Sequence, residues 1–239
     1  MNYQPLPFFN ERRSNIDTII FHCSAHKTND MIEVLKQQQL SCHYIIDTNG
    51  VITKLVEEQH RAWHGGEGSW REIKEDINSH SIGIELSSLT LGQTPYTKKQ
   101  IDSLILLSKE LINRWNIKPQ NIIAHSDSAP TRKPDPGRSF PWKRLSEHGI
   151  GLWYNIGDAK LAPTNNLKEL LAGIGYNVDT LETFKASQYA FARHFMPRAV
   201  QKIDNINHLL HNTYPQDIDF SKNKRYISIA QAVYVSFNS

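Results

Sequence analysis

The sequence predicts an α/β fold: a mixed central β-sheet flanked by helices, followed by a small all-helical C-terminal domain. Three observations carry this. Short β-branched strand candidates interleave with helical periodicities through the first part of the chain. A hairpin signal, Asp47-Thr-Asn-Gly50 between two β-branched runs, sits among them, which argues against a purely parallel barrel. After Gly151 only helical spacing is clear, so the division falls near Ala162-Pro-Thr164, giving residues 1–162 and 163–239.

The elements follow in order. Asp17–Cys23 is β-branched and apolar and reads as a buried strand with His22 near its end. Met31–Gln39 has helical spacing. Cys42–Ile46 and Val51–Val56 flank the Asn-Gly turn, and Ser81–Leu86 is another buried strand carrying Glu85. Thr97–Trp115 is the clearest helix, with Thr97 able to cap it and Ile101, Leu104, Ile105, Leu107, Leu111 and Ile112 on its apolar face. A strand at 121–124 leads into a Pro-rich loop, and Phe140–Leu145 begins a helix with proline at an early position. Helices are expected over Asn166–Leu171, Leu181–Phe195 and Val200–His211. Lys222–Phe237 fits either a helix or a strand.

With 239 residues the chain can bury one sizeable core and a smaller one. The net charge of +3 comes without a dense Lys/Arg stripe interleaved with aromatics, so no nucleic acid partner is expected. No apolar run reaches membrane-spanning length, and Met1–Arg13 has no signal-peptide core, so a cytoplasmic location is expected. Cys23 and Cys42 lack the close spacing of zinc-binding cysteine pairs and are expected to be buried free thiols.

The most informative stretch is Ile123–Gly137. It sets His125, Lys133 and Asp135 on one loop whose path is held by three prolines and a glycine. An imidazole, a cation and a carboxylate on a stiff loop suit polar bond breaking. A zinc site there needs further ligands from other strand ends.

His22, Ser41-Cys-His-Tyr44, Ala62-Trp-His-Gly-Gly66, Ser81-Ile-Gly-Ile-Glu-Leu86 and His125-Ser-Asp-x-Ala-Pro-x-Arg-Lys-x-Asp-Pro-Gly137 occur together and in this order. As a set, over roughly residues 15–150, they resemble the zinc-dependent N-acetylmuramoyl-L-alanine amidases of the type-2 amidase family, in its AmpD- and AmiD-like branch, related in fold to the peptidoglycan recognition proteins. Leu170–Val178 and Ala190–Pro197 resemble the small peptidoglycan-binding module that follows some of these catalytic domains, with Ala192 where that module usually has glutamine.

The resemblance implies one zinc ion per chain held by His22, His125 and Asp135, with Glu85 as general base and acid and Lys133 stabilising the oxyanion. It implies hydrolysis of the amide between N-acetylmuramic acid, 1,6-anhydro forms included, and L-alanine in peptidoglycan fragments or the sacculus, during cell-wall recycling or remodelling. His43, Trp63, His64 and Arg71 are candidates for binding substrate; Arg132 fits a stem-peptide carboxylate or a role in its own loop equally well. Two rivals are weighed. A non-catalytic peptidoglycan receptor of the same fold is disfavoured because every ligand position and Glu85 carry competent residue types. A zinc peptidase on peptide cross-links predicts different products. Every catalytic candidate precedes residue 150, so the segment from about 164 is expected to tune substrate reach.

Overall fold

Alternation along three neighbouring strands decides where the chemistry can sit. The computed structural model describes residues 1–204 and 206–239. The strands are β1 (Asn2–Tyr3), β2 (Phe9–Glu11), β3 (Thr18–Ser24), β4 (Tyr44–Ile46), β5 (Ile52–Lys54), β6 (His60–Ala62), β7 (Ser81–Ser87) and β8 (Ile122–Ala124). Six of them form one sheet in the order β1-β5-β4-β7-β3-β8, and β2 pairs with β6 in a separate ribbon. Within the large sheet β4 and β5 are antiparallel, the expected hairpin, and the other pairings are parallel. The mixed sheet flanked by helices is thus the observed architecture.

The helices are α1 (Thr28–Gln38), α2 (Ile77–His80), α3 (Lys98–Trp115), α4 (His125–Ser128), α5 (Trp142–Ser146), α6 (Leu167–Ile174), α7 (Leu181–Phe195), α8 (Pro197–Val200), α9 (Ile206–Leu210) and α10 (Lys224–Asn238). Helix α3 starts where Thr97 accepts a hydrogen bond from the Gln100 amide and stops at Asn116, in the left-handed region with φ 52°. Of the expected helix over 200–211 only α9 (Ile206–Leu210) is present, α8 ending at Val200, with Asn205 outside the described residues. The undecided tail is helix α10, capped by Asn223. None of the described helices is long and apolar enough to cross a membrane.

Side chains alternate across a strand, so β3, β7 and β8 each present two faces. Ile19, Phe21, Ile82, Ile84, Leu86, Ile122 and Ala124 pack with Ile101, Leu104, Leu107 and Leu111 of α3. Each fully buried side chain of this size stabilises the fold by about 1.5–3 kcal/mol. The alternate positions Ile20 and Ile123 face the other way, into a core with Trp70, Ile77, Leu170, Leu171, Ile174, Phe191 and Val233. The helices after residue 163 therefore share a core with the sheet. A third cluster joins Met31 and Ile32 of α1 to Ile45 and Leu55.

Candidate metal centre

The alternation that sends Ile20 and Ile123 away from α3 sends His22, Gly83, Glu85 and His125 the same way. Register places His22 beside Glu85, and Phe21 beside Ala124, so His22 and His125 emerge side by side. All lie towards the carboxyl ends of parallel strands, where open α/β sheets bind ligands. The loop after α4 returns Asp135 to the same point, closed by the Ser126 amide donating to the Asp135 carbonyl at 3.0 Å. Its far side is pinned where Gly92 meets Gly137. A Cβ on Gly92 would stand 1.9 Å from the Pro136 carbonyl oxygen, so no larger residue permits this approach.

One donor atom from each of His22, His125 and Asp135 lies within 4.8 Å of the others, and all three residues are buried. The two Nδ1 atoms are 2.9 Å apart, and Asp135 Oδ2 is 3.2 Å from His22 Nδ1 and 3.1 Å from His125 Nδ1. Hydrogen bonds at the far nitrogens fix the tautomers. His125 Nε2 donates to the Gly65 carbonyl at 3.0 Å, leaving Nδ1 bare. For His22 the chain of inference is longer. Ser81 Oγ donates to the Ile77 carbonyl at 2.7 Å, so its oxygen accepts from His64 Nε2 at 3.4 Å. His64 Nδ1 is then an acceptor, 3.0 Å from His22 Nε2, and His22 Nδ1 is bare as well.

Electrostatics agree with that assignment. Burial, then His125, pushes the His22 imidazole down to about 4. Burial, then His22, holds His64 well below its ordinary range. Burial alone would raise Asp135, but its imidazole neighbours, His125 first and then His22, hold its carboxyl well below the usual range. A neutral His22 imidazole and an ionised Asp135 carboxylate are protonation states a metal needs. Two buried nitrogens and one buried oxygen converging on one point, with oriented outer partners, fit three of the four ligands of a tetrahedral zinc ion.

Glu85 stands on the adjacent strand with its Oε2 buried and without a hydrogen-bond partner. Burial, then the Asp135 carboxylate, pushes its carboxyl up to about 8, against an opposing pull from Lys133. Lys133 also lowers His22, so its charge is felt on both sides of the centre.

The four expected substrate contacts are placed differently from one another. His64 supports His22 from behind. Its ring lies flat over β7 because residue 83 is glycine; a Cβ there would be 2.4 Å from the imidazole. His43 is fully buried, accepts from the Gly83 amide at 3.0 Å and faces the His60 carbonyl at 3.1 Å, beneath the site instead of lining a cleft. Burial, then Arg12, pushes it down to about 3. Trp63 is half-buried and donates its indole N–H to Asn10 Oδ1 at 2.8 Å. Arg71 turns to α6, where its guanidinium donates to the Ile174 carbonyl at 3.3 Å and its amide to Gly175 at 3.0 Å. Arg132 donates to the Gly65 carbonyl at 3.0 Å and to that of Glu67, tying its loop to the segment that follows β6.

Sequence reasoning passed over Arg12, whose guanidinium donates to the carbonyls of Glu58, Asn78, Ser79 and Ser81. It also passed over Asp127, which stands in the quoted motif with no role assigned. Cys23 and Cys42 are buried free thiols.

Comparison with known proteins places this geometry. The family described as Amidase_2, N-acetylmuramoyl-L-alanine amidase, matches residues 12–138. The chain is 37% identical over 209 residues to N-acetylmuramoyl-L-alanine amidase AmiD of Escherichia coli K12, covering 76% of this chain and 75% of AmiD. It is 40% identical over 106 residues to 1,6-anhydro-N-acetylmuramyl-L-alanine amidase AmpD of Enterobacter cloacae, 44% of this chain and 55% of AmpD. Among solved structures, E. coli AmiD in complex with the substrate anhydro-N-acetylmuramic acid-L-Ala-D-γ-Glu-L-Lys superposes with a TM-score of 0.73 at 32% identity, over 94% of this chain and 91% of AmiD. AmpDh3 of Pseudomonas aeruginosa superposes with a TM-score of 0.77 at 26% identity, over 99% and 97% of the two chains.

Proposed function

The chain belongs to the Amidase_2 family of N-acetylmuramoyl-L-alanine amidases, and on that premise we propose that it uses zinc held by His22, His125 and Asp135 to hydrolyse the amide between the lactyl group of N-acetylmuramic acid and L-alanine, with anhydro-muropeptides among its substrates. The observation that carries the reading is the convergence of three buried donor atoms within 4.8 Å, with the partnerless Glu85 carboxylate oxygen on the neighbouring strand. The substrate class is supported by AmpD, named as a 1,6-anhydro-N-acetylmuramyl-L-alanine amidase, and by AmiD, solved with an anhydro-N-acetylmuramic acid peptide.

A zinc ion at this point supplies a Lewis acid that polarises the scissile carbonyl and makes water a stronger acid. The residues of the chain do the rest. Glu85 takes a proton from the attacking water as its oxygen adds to the lactyl carbonyl carbon. Glu85 must be ionised to take that proton; its value of about 8 belongs to the metal-free chain, and a divalent cation held by His22, His125 and Asp135 would favour the carboxylate form. The Lys133 ammonium places positive charge against the oxygen that becomes negative. Glu85 then protonates the alanine nitrogen as the C–N bond breaks, leaving a lactyl carboxylate and a free amino terminus. His64 and the Gly65 carbonyl keep the two imidazoles oriented throughout.

Mass spectrometry of products from an anhydro-muropeptide and from whole sacculi tests the assignment. Release of stem peptides with a free L-alanine amino terminus is expected. Peptides released only from one another, with the sugar–alanine bond intact, would instead show a cross-link peptidase.

A further inference from the structure

Two consecutive residues of α7, Arg193 and His194, reach across to opposite ends of the loop that carries His125 and Asp135. Both are buried, at 3% and 4% exposure, in a helix otherwise devoted to the core. His194 Nδ1 donates to Asp127 Oδ2 at 2.7 Å. The same fully buried Asp127 accepts from Tyr176 Oη at 2.7 Å and, through Oδ2, from the Ala124 amide at 2.9 Å. That last bond closes the turn of α4, whose first residue is His125. Arg193 donates to the Pro134 carbonyl, immediately before Asp135. It is steadied by Asp204 at 2.5 Å and by the Tyr189 hydroxyl at 3.1 Å. The His194 ring stacks on Trp142, centroids 3.8 Å apart and planes 19° from parallel, which fixes the direction of its N–H.

None of these groups touches the reacting atoms, yet together they hold both ends of the metal loop. We propose that His194, acting through Asp127 with Tyr176, and Arg193, acting through the Pro134 carbonyl, are positioning residues that set the spacing of His125 and Asp135, so that the C-terminal helices form part of the metal site's supporting shell. This rests on the reading of His22, His125 and Asp135 as zinc ligands. The physical case is that a carboxylate buried without water must keep its donors, and its position then becomes theirs. Outer partners that orient metal ligands are typically worth about 10–100-fold in metal affinity.

The test uses the full chain and compares His194→Leu, which removes the donor, with His194→Asn, whose side-chain amide N–H can stand where Nδ1–H stood. Val233→Ala, in the same core but without a hydrogen bond to the loop, controls for loosened packing. The readouts are zinc affinity by chelator competition, kcat and KM separately on a soluble muropeptide, and thermal unfolding. His194→Leu should bind zinc about 10–100-fold more weakly and lose kcat with little change in KM. His194→Asn should recover most of both, and Val233→Ala should lower the unfolding temperature without moving zinc affinity. Should His194→Leu not be recovered folded, Tyr176→Phe takes its place with the same expectation. Wild-type zinc affinity in His194→Leu, or in Tyr176→Phe where that stands in, overturns the proposal, as does an equal loss of affinity in Val233→Ala. The metal reading fails separately, and the proposal with it, if wild type binds no zinc or if His22→Ala binds it as tightly.

Discussion

His22 Nε2 lies 3.0 Å from His64 Nδ1, and this contact determines which nitrogen of His22 faces His125 and Asp135. The His64 ring can take its position only because residue 83 has no side chain. Gly83→Ala should therefore push His64 off β7. It is expected to cost about 1–3 kcal/mol, the usual range for overpacking a filled site, and to weaken zinc binding about 10–100-fold through the lost outer partner. Denaturant unfolding together with chelator competition checks both. A Gly83→Ala chain with unchanged zinc affinity would mean that His64 does not orient His22.

The metal assignment gives a second expectation. Wild type should carry one tightly bound zinc per chain, and His22→Ala and Asp135→Ala should each lose it. Because the donors are assembled only in the folded chain, zinc at 100 times its dissociation constant should add about 2.7 kcal/mol of stability. For a chain of this size that is a rise of roughly 5–10 °C in Tm. Elemental analysis and melting with and without chelator measure this. Unchanged zinc in both variants would remove these residues from the site.

How much of this was legible beforehand varies with the physics. Thr97 and the stripe from Ile101 to Leu111 mark α3 because a cap and a 3.6-residue period are local signals. His22, Glu85 and His125 were legible because strand ends and motif order are local too, and alternation then puts them on one face. The tail resisted because Tyr226, Ile227, Ile229, Val233 and Val235 favour strands, while Tyr226, Ile229, Ala230, Val233 and Phe237, which enter the shared core, follow helical spacing. Only burial against α6 decides between them. His43 and Arg71 are substrate-binding candidates by sequence, but a histidine or arginine motif does not reveal whether its polar atoms are already taken by backbone. The link from His194 to Asp127 joins positions 67 residues apart, and no spacing in the sequence announces it.

Glu85 yields predictions for rate and for pH. Glu85→Gln should keep zinc and fold but lose activity by roughly 10²–10⁴-fold, because an amide cannot take the proton. In the metal-free chain the sign of the pH effect is set by a carboxyl raised from 4.5 to about 8 on folding. The native state then holds a proton that the unfolded chain has already released. The stability this contributes is complete below about pH 4.5 and is lost as pH rises through about 8. The advantage of Glu85→Gln over wild type in chelator-treated protein should grow across that window and level off above it. Urea midpoints at a series of pH values show this, and a difference that does not change with pH would mean that Glu85 is ionised in the folded chain throughout.

Removing residues 163–239 tests how far the shared core matters. Trp70, Ile77 and Ile123 are at most 1% exposed, and the residues clustered with them include Leu170, Ile174, Tyr176 and Phe191 from beyond the cut. Each large apolar side chain returned to water costs about 1.5–3 kcal/mol, against a typical total stability of 5–15 kcal/mol. Asp127 would also lose its bonds from Tyr176 and His194. A chain ending at Ala162 is accordingly expected to aggregate or to bind apolar dyes, and to hold zinc more weakly than the full chain even where a soluble fraction is recovered. Dye binding, light scattering and chelator competition on that fraction measure the outcome. A monomeric, cooperatively melting chain of 162 residues with full-length zinc affinity would show that the sheet face can be covered by other means, and that the helices matter only for reaching substrate.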